Sequence, residues 1–431
     1  MSTDGRAPQA HSTTGRSTTR WQRRALIALL IAVAVLLTAG CTGSTQPDDG
    51  VGPGPSAARC ESVAGYDPEP DGRYEVLIVD RTASQAPRAM PPAVVERLRA
   101  AQEADRTLML IGVDGPGIEP RLGRTLPLDP MPEKTSRRAD DVRTLVLDCV
   151  QTWIEDDGLL PTATGSDQLA ALAAAGRQQP EEILVISDGV SSSRLMDLAA
   201  IGYDSDAASV AAALSSAGVL PRLGGATVLW AGLGETTLAL SEAARAGLET
   251  LWTHVLAAAG STASFDRRFQ SSEAGATAGF DGLPEDPMPS EEPFHLEGAG
   301  ASCFRLPSGT VFGPNSTEVV STAGLEQVAA TLTQHPGWVA VVSGHVADYG
   351  PVDGQVPFSE ARAHAVVRVL RDLGVPESVE LVALGYGATR PVESEWVDGV
   401  HDEAAAAKNR RVDVLYGDPA SVDPDMECAQ G

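Results

Sequence analysis

The chain has 431 residues, more than one ordinary core accommodates and about right for two domains with connecting segments. Hydrophobic residues at 43% and charged residues at 21% are normal globular values and exclude wholesale disorder. Lys and Arg number 32 against 58 Asp and Glu, a formal net charge of -26. That balance argues against a nucleic-acid partner, because neutralising phosphates requires clustered Lys and Arg.

The excess acid does not extend to the front of the chain. Arg6, Arg16, Arg20, Arg23 and Arg24 face only Asp4 there and lead into the apolar run Ala25 to Gly40, ALIALLIAVAVLLTAG. A basic stretch followed by a short apolar one is the pattern of an export signal over residues 1–40. The run is shorter than the roughly 20 residues of a spanning helix; an uncleaved membrane anchor is the alternative. Arg23-Arg24 fits twin-arginine export as well as the general route, so the route stays open.

Leu37-Thr38-Ala39-Gly40-Cys41 resembles a bacterial lipobox, with Thr38 in place of the usual Leu. The resemblance implies that Cys41 carries acyl chains such as palmitate and becomes the mature N-terminus, anchored in the cell membrane and facing its extracytoplasmic side. Each buried methylene contributes about 0.8 kcal/mol, so several chains anchor stably. Residues 41–62 are rich in Gly, Pro, Ser and Asp and read as a flexible tether. Cys60, Cys149, Cys303 and Cys428 remain, an even set that suggests disulfides in an exported chain, with three possible connectivities. Pairing Cys60 with Cys149 and Cys303 with Cys428 keeps each bond inside one proposed domain. Buried free thiols are the alternative.

Across residues 63–269, short apolar runs (YEVLIV from Tyr74, TLMLIGV from Thr107, EILVI from Glu182, ATVLWA from Ala226) alternate with stretches of helical periodicity. Such alternation predicts a doubly wound α/β domain, with ligands gathering at the carboxyl ends of its strands. Asp80-Arg81-Thr82-Ala83-Ser84, Gly165-Ser166-Asp167 and Ser187-Asp188-Gly189 fall at such positions. Their order resembles the metal-ion-dependent adhesion site of the von Willebrand factor A family. The resemblance implies Mg2+ held by Asp80, Thr82, Ser84, Ser166 and Asp188, all hard oxygen donors, and a domain that binds an envelope protein. Thr82 and Ser166 each exchange the family's hydroxyl residue for the other one. Without an ion, Asp80 and Asp188 read as caps of turns and helices. The chain lacks a G-x-S-x-G elbow, a G-x-x-x-x-G-K-[ST] loop and an H-E-x-x-H motif, so no enzymatic activity is expected.

Residues 270–300 are acidic, rich in Pro and Gly and without period, and read as a linker. Over residues 301–431, FGPNSTEVV, VAVVSGHVADYG, FSEARAHAVVRVLRDLGV, LVALGYG and NRRVDVLY follow in an order that resembles the OmpA-like C-terminal domain, an α+β module that binds peptidoglycan. In that family an Asp of a G-H-T-D-x-x-G loop and the Arg of an S-x-x-R-A helix grip the ammonium and carboxylate of diaminopimelate. Arg362 matches the Arg. An ungapped alignment puts Ala347 at the family Asp and Asp348 one place later, Val346 replaces Thr, and Gln355 stands where Asn is frequent. Asn409 and Arg410 of the N-R-R element are expected at the rim, while Arg411 also suits a structural ion pair. Peptidoglycan binding through Asp348, Arg362, Asn409 and Arg410 is the expectation; a scaffold that has lost it is the alternative.

Overall fold

Strand β1 (Tyr74–Val79) shows how this sequence builds its first body. Successive side chains of a strand face opposite ways, so Val76 and Ile78 enter one apolar core and Leu77 and Val79 another. A strand buried on both faces is the mark of a sheet covered on both sides by helices. The computed structural model describes residues 56–66, 73–84, 90–266, 283–290, 293–297, 300–349 and 351–428. The predicted export signal, Cys41 and most of the tether lie outside these residues. All the described residues belong to one unit, Gly54–Gly431.

In chain order the first body contains α1 (Ala57–Ala64), β1, α2 (Pro92–Glu103), β2 (Thr107–Gly112), β3 (Arg121–Pro127), α3 (Arg137–Ile154), α4 (Gln168–Gly176) and β4 (Glu182–Ile186). A small hairpin of β5 (Ser192–Ser193) and β6 (Met196–Asp197) follows, then α5 (Leu198–Ile201), α6 (Ala207–Ser216), β7 (Thr227–Ala231), α7 (Glu242–Ala258) and β8 (Thr262–Asp266). Six strands form one sheet in the order β3-β2-β1-β4-β7-β8. All neighbours run parallel except the β2–β3 pair. Strand order reverses direction between β1 and β4, the point where such sheets open a crevice at their carboxyl ends. The helices start where short polar side chains cap them: Asp167 accepts from the Ala170 amide at 3.0 Å, Asp206 from Ser209 at 2.7 Å and Ser241 from Ala244 at 3.1 Å.

The second body holds β9 (Phe294–Leu296), β10 (Ala301–Pro307), a 3-10 turn (Ser308–Thr310), α8 (Ala323–Thr333), β11 (Val339–His345) and α9 (Val352–Asp372). It continues with β12 (Glu380–Gly385), a small hairpin of β13 (Trp396–Val397) and β14 (Val400–His401), α10 (Glu403–Asn409) and β15 (Arg411–Gly417). Its five-stranded sheet has the order β12-β11-β15-β10-β9. β11 pairs parallel with β12, and the remaining pairs are antiparallel. Phe304, Leu306, Val342, Val366 and Val414 are among the residues that join sheet and helices in one apolar core.

Among the strands that the sequence does not single out are β3, β8 and β9. β3 and β8 lie at the two edges of the first sheet, where partial exposure dilutes the apolar pattern. β9 lies inside the stretch read as a linker and edges the second sheet, so residues 270–300 are not wholly a connector. Cys60 is bonded to Cys149, with Cα atoms 5.5 Å apart, and Cys303 to Cys428, at 5.8 Å. The first bond ties α1 to α3, and the second fastens the chain's end to β10. Among the described residues no helix is long and apolar enough to cross a membrane.

Candidate functional site

Among the described residues, two places bring sequence-predicted site residues together with polar groups that burial makes costly unless they have work to do. At the switch point of the first sheet, Asp80 follows β1, Ser166 precedes α4 and Asp188 follows β4. Gly189, at φ +76°, makes the turn that aims Asp188 inward; a Cβ there would come within 2.3 Å of Leu233. Thr82 Oγ1 lies 3.0 Å and Ser166 Oγ 3.4 Å from Asp80 Oδ1, while Ser84 Oγ donates to Asp188 Oδ2 at 2.6 Å. The five residues singled out in the sequence therefore meet, all of them buried.

A sixth residue was not foreseen. Asp286, from the stretch read as a linker, receives Thr82 Oγ1 and Ser84 Oγ on Oδ2, each at 2.6 Å, and Ser166 Oγ on Oδ1 at 2.8 Å. Backbone bonds hold it there: the Ala83 amide donates to Pro284 and the Gly165 amide to Glu285. Oxygens of Asp80, Asp188 and Asp286 all lie within 4.8 Å of one another. Burial first, and then the neighbouring Asp286 charge, raise Asp80 to about 6; burial followed by Asp80 and Asp286 raises Asp188 well above the usual range. The cluster has more short oxygen contacts than its three hydroxyls have protons. An additional positive charge, a proton or a hard cation, is what such a donor set requires.

The second place is a cleft of about 290 Å³ beside α9. Helix α9 lies hard against the carboxyl ends of β11 and β12, because Gly344 and Gly385 leave no side chain between them. A Cβ on Gly344 would be 2.1 Å from the Ser359 carbonyl, and one on Gly385 would be 2.4 Å from the Glu360 amide nitrogen. Ser359 Oγ receives the Gly387 amide at 2.9 Å and donates to Val356. One helical turn later the same face carries Arg362. Its Nε donates to the Ser316 carbonyl at 2.9 Å, and its guanidinium lies 4.8 Å from the Phe312 ring centroid and 4.6 Å from that of Phe358. Arg362 is 4% exposed and has no carboxylate ion pair among the described residues. Burial is the main cause that lowers it to about 10, with Asp204 opposing and Arg410 adding to the shift; it stays protonated at neutral pH. Gln355 also lines the cleft, 9% exposed, and its Nε2 has no hydrogen-bond partner.

The expected partners of Arg362 divide. Arg410 lines the cleft, paired with Asp204 at 3.2 Å and with Glu403 at 2.9 Å. Asn409 does not: it is buried, accepts from the Val392 and Glu393 amides and donates to Glu393 O and Glu395 Oε1, which makes it a clasp for that loop. Asp348 is exposed and outside the lining; Val346, Ala347 and Tyr349 line the cleft around it. The one-residue offset seen in the alignment thus leaves the Asp348 carboxylate outside the cleft. Arg411 pairs with Asp413 at 3.0 Å.

Residues 311–404 match the model of the OmpA family, so this part of the second body is an OmpA-like domain. The peptidoglycan-associated lipoprotein of Legionella pneumophila is 35% identical over 88 residues, which is 20% of this chain and 47% of that protein. The chain therefore spans about half the length of that relative. A crystal structure of the peptidoglycan-associated lipoprotein from Burkholderia pseudomallei is 32% identical over 25% of this chain and 86% of that one, with a TM-score of 0.22. The cell wall anchor of the T6SS from Pseudomonas aeruginosa is 21% identical over 30% and 88%, with a TM-score of 0.24.

Proposed function

We propose that this protein is a lipid-anchored cell-envelope protein that binds peptidoglycan non-covalently through the cleft of its OmpA-like domain. The observation that carries the reading is Arg362. A guanidinium this deeply buried, with no carboxylate ion pair among the described residues and with the unpartnered Gln355 amide in the same cleft, is a prepared receptor for a carboxylate. The carboxylate of a diaminopimelate stem peptide has that chemistry. The relative from Legionella pneumophila, by its name, associates with peptidoglycan and is a lipoprotein. Attachment through acylated Cys41 would set the domain on the extracytoplasmic side of the membrane. Titration calorimetry with a soluble diaminopimelate stem peptide tests the cleft: saturable binding by the wild type that is about ten- to a hundredfold weaker in Arg362→Ala supports it, and no heat from the folded wild type contradicts it.

The second reading, a protein-interaction scaffold without wall binding, is favoured by one observation only. Ala347 lines the cleft where the family carries its Asp, and Asp348 stands outside. Arg362, with no ion pair among the described residues, outweighs it, since a site released from ligand binding has no reason to keep a buried cation without a directly paired carboxylate.

For the first body we propose a von Willebrand factor A-like domain that holds Mg2+ and binds an envelope protein. Asp80, Thr82, Ser84, Ser166 and Asp188 would hold the ion, which would supply the positive charge that the crowded carboxylates lack. The strand order with its antiparallel β3 edge supports the reading. No catalytic role is proposed for either body.

A further inference from the structure

The cleft beside Arg362 has walls from both bodies. Asp204 and Asp206, from the loop between α5 and α6 of the first body, line it together with Arg362, Gln355, Glu403 and Arg410 of the second. The seating of that loop is specific. A Cβ on Gly247 of α7 would fall 1.9 Å from the Tyr203 carbonyl oxygen, and one on Gly309 of the second body would fall 2.8 Å from Asp204 Cβ. Only glycine at both positions lets the loop pass between α7 and the 3-10 turn. Polar bonds then fix it from the second body: Arg410 Nε to Asp204 Oδ2 at 3.2 Å, Arg410 Nη2 to the Ile201 carbonyl at 3.3 Å, and the Asp206 amide to Glu403 Oε1 at 3.0 Å.

The cleft is lined by charges of both signs. Arg362, with no ion pair among the described residues, and the Gln355 amide, with no acceptor among them, call for an anion. Asp204 Oδ1 receives no hydrogen bond among the described residues, and its charge reaches Arg362. Asp206 adds a second carboxylate, used on Oδ1 to cap α6. A cleft that holds the Arg362 cation and the Asp204 and Asp206 carboxylates in one lining, with the Asp204 charge felt at Arg362, fits a zwitterion, one whose carboxylate meets Arg362 and whose ammonium meets acid. The loop over α9 offers no acid of its own to the cleft, because Asp348 lies outside it.

We infer that the Asp204–Asp206 loop of the first body supplies the carboxylates that recognise the ligand's ammonium, so that the wall-binding site is complete only where the two bodies meet. This rests on the peptidoglycan reading above. Ligand binding and the docking of the bodies are then linked, each favouring the other.

The test uses the full chain with two probes, a diaminopimelate stem peptide with a free side-chain ammonium and the same peptide N-acetylated there. The wild type should prefer the free form by at least about tenfold, the scale of a charge-assisted bond. Asp204→Asn with Asp206→Asn should lose that preference and bind the free form about tenfold more weakly, while the N-acetylated form binds as before. Adding Ala347→Asp to this double variant should restore part of the preference from the second body's own loop, which excludes misfolding as the cause of the loss. An unchanged preference in the double variant, with loss in Glu403→Gln instead, would overturn the inference while leaving wall binding intact. Tighter binding by Asp204→Asn would also overturn it, because Asp204 would then be a plug. A wild type that binds neither peptide would sink the peptidoglycan reading itself.

Discussion

Arg362 concentrates the physics of the second body in one side chain. It is flanked by two aromatic rings, anchored through Nε to Ser316, and has no ion pair among the described residues. Arg362→Ala should weaken stem-peptide binding by about 1.5 to 3 kcal/mol, roughly ten- to a hundredfold, as read by calorimetry. Asp348→Ala should change it little, since that carboxylate lies outside the cleft. His345 gives a second residue-scale prediction. Burial, and then the nearby Arg411 charge, lower it from 6.5 to about 3, with Asp413 opposing. A histidine whose folded pKa is depressed keeps the fold's advantage above 6.5 and loses it as pH falls from 6.5 towards 3, where the unfolded chain binds the proton first. Each pH unit in that window removes up to about 1.4 kcal/mol. Urea unfolding of the second body should show that slope, and His345→Gln should flatten it. Arg362 was legible in the sequence because Ser359 and Arg362 sit one helical turn apart in a single short motif. Asp286 and Asp204 were not, because each reaches its site across more than a hundred residues of chain, and no local period records such a contact.

At the scale of elements, glycine decides how closely helix and sheet approach. Gly344→Ala would drive a methyl into the Ser359 carbonyl at 2.1 Å; overpacking of this kind costs about 1 to 3 kcal/mol, and the displaced α9 would carry Arg362 out of register. Lower thermal stability together with weaker stem-peptide binding is the expected pair of results. Normal binding would show that α9 is placed by something other than this contact. The buried parallel strands β1, β2, β4 and β7 could be read directly, since burial on both faces makes them short unbroken apolar runs. Edge strands escaped the same reading. β3, RLGRTLP, is mostly part-exposed or exposed, and β9, FHL, has three residues in a Pro-rich acidic stretch.

At the scale of the whole molecule, the proposal joins an anchor, a metal-dependent domain and a wall-binding domain in one chain. If the acid cluster of the first body takes Mg2+, the ion at a hundred times its dissociation constant should stabilise that body by about 2.7 kcal/mol. Calorimetric scans with Mg2+ and with chelator would reveal the shift in Tm, which Asp80→Asn together with Asp188→Asn should abolish. Replacing Cys41 with Ala should remove metabolic lipid labelling and move the protein out of the detergent phase; unchanged partitioning would contradict the anchor. The central claim is that the cleft under Arg362 holds the cell wall. Its most direct measurement is co-sedimentation of the purified full chain with insoluble diaminopimelate-type peptidoglycan, beside Arg362→Ala of equal thermal stability. The account predicts that the wild type pellets saturably and the variant stays in solution, whereas a folded wild type that remains in the supernatant, or a variant that pellets equally, would contradict it.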